Sequence, residues 1–193
     1  EPNEISKFNY NMFTANLVMN FIRFKVGKDW NSFLSKIFQD KIGISNSLVF
    51  QKVYGFEETH GLAIASGWVS RYDYLRIAVS IMKDWQKGTC VGQYLKETNE
   101  RKKPITKDSW FFDIDPKDAR NKRHFSSHYG GLFYFNYKGM NKRNIIGMEG
   151  KGGQSILIDV DNSRVVVVNA VSDNYDWYEL VYQTIKTGNL RKQ

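Results

Sequence analysis

The chain has 193 residues, of which 41% are hydrophobic, 15% are aromatic and 25% are charged, and its net charge is +8. This composition predicts a globular fold with an aromatic-rich core and argues against a disordered chain. A single cysteine excludes an internal disulfide and a zinc site built of thiolates, and no apolar run approaches the roughly 18 residues of a membrane span. Basic patches lie at 101–103, 117–123 and 138–143, but solvated loops explain them more simply than a nucleic-acid partner does.

The first half of the chain has the sequence pattern of helices. Apolar residues crowd a broad face from Phe13 to Val26, which predicts a first helix. A second helix is predicted to begin after Asp29, which would cap it, and to end at Gly43. Its apolar residues recur at helical spacing, and they are Trp30, Phe33, Leu34, Ile37 and Phe38.

A capping-box pattern at Ser70 and Asp73 predicts the start of a third helix, which we expect to run to about Gln86. The buried stripe predicted for this helix consists of Leu75, Ala78, Val79 and Met82. The following stretch, 99–123, is polar and contains two prolines, so it is predicted to be a long connecting loop.

The second half changes character, because three segments rich in β-branched and aromatic residues predict strands at 129–137, 153–160 and 164–171. The short turn Asp161–Ser163 predicts that the last two strands form an antiparallel hairpin. A final helix is predicted from one apolar stripe, made of Trp177, Leu180, Val181, Thr184 and Ile185.

Together these elements predict the α+β class, with an antiparallel sheet flanked by helices. We expect both halves to belong to the same domain. Residues 1–125 are expected to form its mainly helical part, and residues 126–193 its antiparallel strands and the helix that follows them.

Three short sequences match motifs of penicillin-recognising serine enzymes, and they are Ser80-Ile-Met-Lys83, Ser172-Asp173-Asn174 and Lys186-Thr187-Gly188. Ser80 is predicted to lie on a basic, solvated helix face, where a neighbouring amine cannot be held neutral as a base. The other two tripeptides are predicted to cap the two ends of the final helix. None of the three is therefore assigned to catalysis.

A different stretch, "GMEGKGGQSILIDVDNSRVVVVNAV" from Gly147 to Val171, resembles the C-terminal segment of β-lactamase-related serine hydrolases. It is closest to the branch that contains 6-aminohexanoate-dimer hydrolase, esterases and penicillin-binding-like proteins. In that branch a glycine-rich stretch ending in glutamine replaces Lys-Thr-Gly and enters a strand, an aspartate ends the strand, and an aliphatic strand returns. Here the three parts are 150–154, Asp159 and 164–171.

Two further segments resemble the same family. "FNYNMFTANLVMNFIRFKVG", Phe8 to Gly27, is similar to its Tyr-x-(Ser/Asn) motif and the helix that follows, which places Tyr10 at the catalytic tyrosine. "GLAIASGWVSRYDYLRIAVSIM", Gly61 to Met82, is similar to its Asp-x-x-Arg helix. With "YGGLFYFN", the segments cover most of the chain in the family's order, which implies a serine β-lactamase/transpeptidase-like fold.

The resemblance also implies the site residues. Tyr10 would be the proton shuttle, the backbone N–H of Lys151 would belong to the oxyanion hole, and Gly150, Gly152 and Gly153 would contact substrate. A glycine-rich strand entry lets a substrate carbonyl approach the main chain closely, and a tyrosine beside a lysine ammonium can relay a proton. The substrate would be a small-molecule or peptide-like amide or ester, with no cofactor and no metal.

One departure from the family pattern concerns the nucleophile. The family's Ser-x-x-Lys precedes the tyrosine motif, but only nine residues precede Tyr10 here, and none of them supplies it. We therefore expect the nucleophile and the N-terminal half of the fold to lie outside this chain, and the chain alone to be inactive. The alternatives are a non-catalytic binding module on the same scaffold and, less favoured, a basic nucleic-acid-binding domain.

Other candidate residues have simpler interpretations. His124 and His128 have the spacing of a metal pair, but their basic surroundings favour loop histidines. His60 follows two glutamates and could act as a base or a metal ligand, although a loop residue is preferred. Cys90 is predicted to be a small packing residue.

Overall fold

A computed structural model describes residues 12–45, 49–52, 65–105, 125–150, 153–169 and 175–189. The chain divides into two compact units, here called the helical unit, Asn11–Ile77, and the sheet unit, which includes Ala78–Gln193. The structure is of the α+β class, with helices and a six-stranded antiparallel sheet. None of the helices found in the described ranges is both long and apolar enough to cross a bilayer.

The helical unit begins with helix α1, Met12–Val26, which confirms the first predicted helix. After a 3₁₀ turn, helix α2 spans Trp30–Ser35 and continues as a π-helical segment, Lys36–Lys41. The predicted cap is wrong, because the Asp29 side chain makes no capping hydrogen bond. Gly43 has a φ of +79°, which suits the glycine that was expected to end this helix.

A short hairpin follows in the helical unit. Strands β1, Val49–Lys52, and β2, Ala65–Trp68, pair antiparallel, with Val49 opposite Trp68 and Lys52 opposite Ala65. The sequence analysis predicted neither strand. Two residues, Val69 and Ser70, separate the end of β2 from the start of the next helix at Arg71.

Helix α3, Arg71–Lys87, confirms the third predicted helix and its capping box. The Ser70 hydroxyl oxygen accepts a hydrogen bond from the Asp73 N–H at 3.2 Å, and the hydroxyl donates to the Asp73 carboxylate at 2.9 Å. The predicted stripe is confirmed at Ala78, which is fully buried, but it is wrong at Leu75, which is exposed. The apolar face of α3 is therefore narrower than its sequence suggests.

Helix α4, Cys90–Glu100, belongs to the sheet unit and was not predicted. Thr89 caps it, since its hydroxyl oxygen accepts from the Gly92 N–H at 3.2 Å and the hydroxyl donates to Asp84 at 2.7 Å. A side chain at Gly92 would collide with the Asp84 carbonyl, so glycine lets α4 cross closely over the end of α3. Cys90 is exposed, which contradicts its predicted packing role.

The sheet has the same strand order as the chain, and every neighbouring pair is antiparallel. Its strands are β3 Lys103–Pro104, β4 Ser126–Gly130, β5 Phe133–Tyr137, β6 Ile145–Glu149, β7 Ser155–Asp159 and β8 Arg164–Val168. The hairpin predicted around Asp161–Ser163 is confirmed, with Asp159 opposite Arg164. The single strand predicted for 129–137 is wrong, because Gly131 and Leu132 form a turn between β4 and β5.

The core of the sheet unit lies between one face of this sheet and the last helix. Strand β7 is buried along its whole length, as expected of an internal strand covered on both faces. Aromatic rings fill much of the interior, and the core cluster comprises Tyr129, Tyr134, Tyr137, Met140, Ile145, Leu157, Trp177, Val181, Tyr182 and Ile185. The large rings supply the apolar area that the composition predicts.

The last helix consists of a π-helical segment, Tyr178–Gln183, and helix α5, Thr184–Thr187. Asp176 caps its start by accepting from the Glu179 N–H at 3.0 Å, and Gly188 ends it in the left-handed conformation. Arg143 donates to the carbonyl of Ile185 at 2.8 Å and pairs with the buried Asp159. The sheet thereby holds the carboxyl end of the helix through a charge-assisted contact.

Candidate functional site

Residues 150–154, here called the glycine turn, connect β6 to β7, and 151 and 152 among them lie outside the described residues. The Gly150 N–H donates to the Gln154 carbonyl at 3.1 Å, which closes the turn. Gly153 has a φ of +89°, a conformation that residues with a side chain rarely adopt. The turn therefore continues the β6–β7 ladder, whose last pair is Glu149 and Ser155.

The structure brings two of the proposed site residues together. Gly150 and Gly153 lie in this one turn, where the sequence placed them. Tyr10, Lys151 and Gly152 lie outside the described residues, as do His60 and His124. The oxyanion donor and the proton shuttle thus remain assignments made from the resemblance.

The Gln154 side chain lies beside Gly150. A β-carbon built on Gly150 would stand 3.1 Å from Gln154 Oε1, so glycine leaves room for this amide. Within the described residues, Gln154 Oε1 is buried and accepts no hydrogen bond. A buried acceptor of this kind at the edge of a turn is a polar group that a ligand can satisfy.

Three side chains hold the turn from the C-terminal side. The Tyr175 hydroxyl donates to the Gly153 carbonyl at 2.7 Å and lies 3.4 Å from Ser155 Oγ. The Trp177 indole N–H donates to the same Ser155 oxygen at 2.9 Å. Ser155 and Trp177 are almost completely buried, so these bonds are shielded from water. The sequence analysis did not find this connection, because Tyr175 and Trp177 lie one strand further along the chain.

A buried tyrosine lies on the β6 side. The Tyr137 hydroxyl is 3.5 Å from Glu149 Oε1 and is fully buried. Burial and the neighbouring Glu149 raise the pKa of Tyr137 well above 10. Tyr137 therefore stays protonated near neutral pH and cannot serve there as a base. A side chain at Gly147 would overlap the Tyr137 hydroxyl, which explains a glycine in the middle of β6.

A second polar cluster lies where β4 pairs with β5. The Ser127 hydroxyl is 2.9 Å from His128 Nδ1 and donates to the Asn136 carbonyl at 3.0 Å, while the Asn136 amide nitrogen is 3.1 Å from the same ring nitrogen. Asn136 has a φ of +55°, which marks a local irregularity in the ladder. Burial and the nearby Lys102 lower the pKa of His128 below its ordinary value of 6.5.

This second cluster has a structural interpretation. The Ser127 hydroxyl lies within hydrogen-bond distance of both the Asn136 carbonyl and His128 Nδ1, so it links β4 to β5 at this irregular point of the ladder. Among the described residues, no group of three or more His, Cys, Asp or Glu side chains could hold a metal ion. Ser80 is half-buried on α3, and the Lys186-Thr187-Gly188 tripeptide ends the last helix as expected.

No protein-family model, no curated protein and no solved structure matches this chain.

Proposed function

We propose that this chain is the C-terminal portion of a β-lactamase-related serine hydrolase, on a serine β-lactamase/transpeptidase-like scaffold, that cleaves an amide or an ester through an acyl-enzyme. The nucleophilic serine and its lysine lie outside these 193 residues. Tyr10 relays the proton between nucleophile and leaving group, and the backbone N–H of Lys151 stabilises the oxyanion.

The observation that carries the proposal is the glycine turn at the entry to β7. This strand is internal, since β6 and β8 pair with it on its two sides. Its entry is closed by the hydrogen bond from Gly150 to Gln154 and anchored at Gly153. An oxyanion hole needs backbone N–H groups that are fixed before the reaction begins, and the hydrogen bonds at Gly150, Gly153 and Gln154 support such a role for this segment.

The chemistry around the turn supports a carbonyl substrate. Gly150 is exposed and has no side chain, which leaves the main chain there open to close approach. The Gln154 amide beside Gly150 adds a polar group that can orient an amide or ester. Tyr137, which hydrogen-bonds to Glu149 next to the turn, is fully buried, and we assign the proton relay to Tyr10 from the resemblance.

The experiment that tests this proposal is the intact mass of the protein before and after a fluorophosphonate probe, which labels activated serines. We expect no adduct on the 193-residue chain. A longer form that carries a Ser-x-x-Lys segment ahead of Tyr10 should take up one probe per molecule and hydrolyse a nitrophenyl ester. In that form Tyr10→Phe should lower kcat at least about a hundredfold, the usual contribution of a general acid–base group.

Each result decides between the alternatives. An adduct on the 193-residue chain would place the nucleophile within it, and Ser80 would be the first serine to replace with alanine. A longer form that takes up no probe and turns over no ester would contradict the hydrolase and favour a non-catalytic binding module.

A further inference from the structure

The glycine turn has two requirements that oppose each other. The exposed Gly150 leaves the backbone accessible, but glycine also has the largest conformational freedom of any residue. An oxyanion hole, by contrast, stabilises charge because its donors do not have to reorganise. A turn with three glycines among its five residues therefore needs a rigid constraint from elsewhere in the fold.

Tyr175 meets the description of such a constraint. Its hydroxyl donates to the Gly153 carbonyl at 2.7 Å, which fixes the peptide plane between Gly153 and Gln154. The next carbonyl, that of Gln154, accepts from the Gly150 N–H. Two successive peptide planes at the exit of the turn are thus held by hydrogen bonds.

Tyr175 is itself held in place by packed neighbours. Trp177, two residues after Tyr175, is buried in the core, with its ring 5.3 Å from that of Phe125, and its indole N–H is bonded to Ser155. Ser155 Oγ lies between this indole and the Tyr175 hydroxyl, at 2.9 and 3.4 Å. The position of Tyr175 is therefore set by the packed start of the last helix.

We propose that Tyr175, supported by Trp177 and Ser155, is a positioning residue that fixes the Gly153 carbonyl and, through it, the hydrogen bond between Gly150 and Gln154 at the entry to β7. The inference rests on the proposed function for its catalytic consequence. The expected stiffening of the turn does not depend on that function and can be measured in the 193-residue chain. Tyr175 touches no substrate and acts through the Gly153 carbonyl.

The test compares Tyr175→Phe with Tyr178→Phe in the 193-residue protein by amide hydrogen exchange, resolved residue by residue with NMR. Tyr178 is a matched control, because its hydroxyl also takes part in a hydrogen bond, which it accepts from the Gln183 amide at 2.6 Å within the last helix. We expect the Gly150 amide to exchange about tenfold faster in Tyr175→Phe, which corresponds to losing one ordinary hydrogen bond. The Leu157 amide in β7 should keep its rate, and Tyr178→Phe should leave Gly150 unchanged.

An unchanged Gly150 rate in Tyr175→Phe would overturn the proposal. Equal acceleration at Gly150 and Leu157 would also overturn it, since that pattern reports global unfolding. In the longer form with its own nucleophile, Tyr175→Phe should lower kcat about tenfold and leave KM unchanged, and an unchanged kcat despite faster exchange would refute the catalytic part. If the unmodified longer form has no esterase activity, the proposed function fails while the exchange result still decides the role of Tyr175 in the turn.

Discussion

The sheet unit and the helical unit place their apolar side chains very differently. In the sheet unit, the residues of β7 and the last helix form a closed interior in which Leu157 and Trp177 have almost no exposed surface. In the helical unit, where side chains are described for 17–45 and 69–77, the buried hydrophobic residues are Leu34 and Ile44. Apolar residues thus form a packed core in the sheet unit and a partly exposed surface in the helical unit.

Helix α1 illustrates the difference. Phe24 is 81% exposed, and Phe21 and Leu17 lie exposed on the same side, one and two turns away. The opposite side is also apolar, with Ile22 and Val26 half-buried. A helix that is apolar around most of its circumference is typical of an element packed on several sides. An apolar stripe in the sequence therefore does not reveal which side of a helix is covered.

Truncating one leucine in each unit should give the largest difference in the free energy of unfolding between the two units. Leu157→Ala should lower the free energy of unfolding by about 2–5 kcal/mol, because it opens a cavity in a fully buried strand. Leu17→Ala, at a half-exposed position, should change it by less than about 0.5 kcal/mol. Urea unfolding measures both, and similar losses would show that the helical unit packs as tightly as the sheet.

Adding a methyl group to a glycine tests how tightly each unit is packed. Gly147→Ala should destabilise the sheet unit by about 1–3 kcal/mol, because the new group overlaps the buried Tyr137 hydroxyl. The double variant with Tyr137→Phe should recover part of that loss in thermal unfolding.

Gly27 in the helical unit is the matched control. Its φ is +63°, and nothing lies within 4 Å of an added β-carbon. Gly27→Ala should therefore cost about 1 kcal/mol, from backbone strain alone. A loss for Gly147→Ala no larger than this, and not relieved by Tyr137→Phe, would contradict the close approach.

The helical unit owes part of its order to a buried carboxylate. Asp73 is fully buried, accepts from the Ser45 N–H at 2.8 Å and pairs with Arg76 at 2.7 Å. Asp73→Asn should lower the free energy of unfolding by about 1–3 kcal/mol, since the hydrogen bonds at this buried position lose their charged acceptor. The exposed Asp40→Asn is the control and should have little effect in the same urea experiment.

The same carboxylate gives the helical unit its acid sensitivity. The Ser45 N–H, foremost, and then Ser70 and Arg76 lower the pKa of Asp73 below its ordinary value of 3.8, although burial acts in the opposite direction. Its stabilisation is therefore present above about pH 4 and is lost as the pH falls through the lower folded-state pKa. An acid titration of Asp73→Asn should lack this transition.

The smallest expected effect lies in the sheet unit at milder acidity. The pKa of His128 in the folded state is below 6.5, so between these values the unfolded chain binds a proton that the folded chain does not. Stability should fall as the pH drops below 6.5 and level off once the folded state is also protonated. His128→Gln should flatten this slope, and an unchanged slope would contradict the burial of the ring beside Lys102.

The sequence predicted features that depend on neighbouring residues. Ser70 and Asp73 form a capping box, Asp161–Ser163 turns a hairpin and Gly188 ends a helix, because short-range hydrogen bonds and backbone preferences decide each of them. The glycine-rich entry to β7 was also predicted, through the resemblance at 150–154, although the strand begins at Ser155 and not at Gly153. These elements need little information from the rest of the fold.

Features that depend on distant contacts were missed. Helix α4 has a glycine at position 92 that reads as a helix breaker, but the close crossing over Asp84 requires it. The turn after β4 contains Leu132 at a φ of +73°, and leucine gives no turn signal. The bond from Tyr175 to Gly153 joins positions separated by a whole hairpin, so no local pattern could reveal it.

The identity of strand order and chain order has a kinetic consequence. From Ser126 to Val168, each strand pairs with the one that follows it in the chain, so the sheet needs only short loop closures and can assemble progressively from its amino end. The helix that covers the sheet is synthesised after all the strands. During translation, the face that carries Tyr134 and Leu157 is therefore complete before Trp177 and Val181 arrive to shield it. This interval is when the nascent protein most needs protection from aggregation, and a chain stopped short of Trp177 would remain in that state.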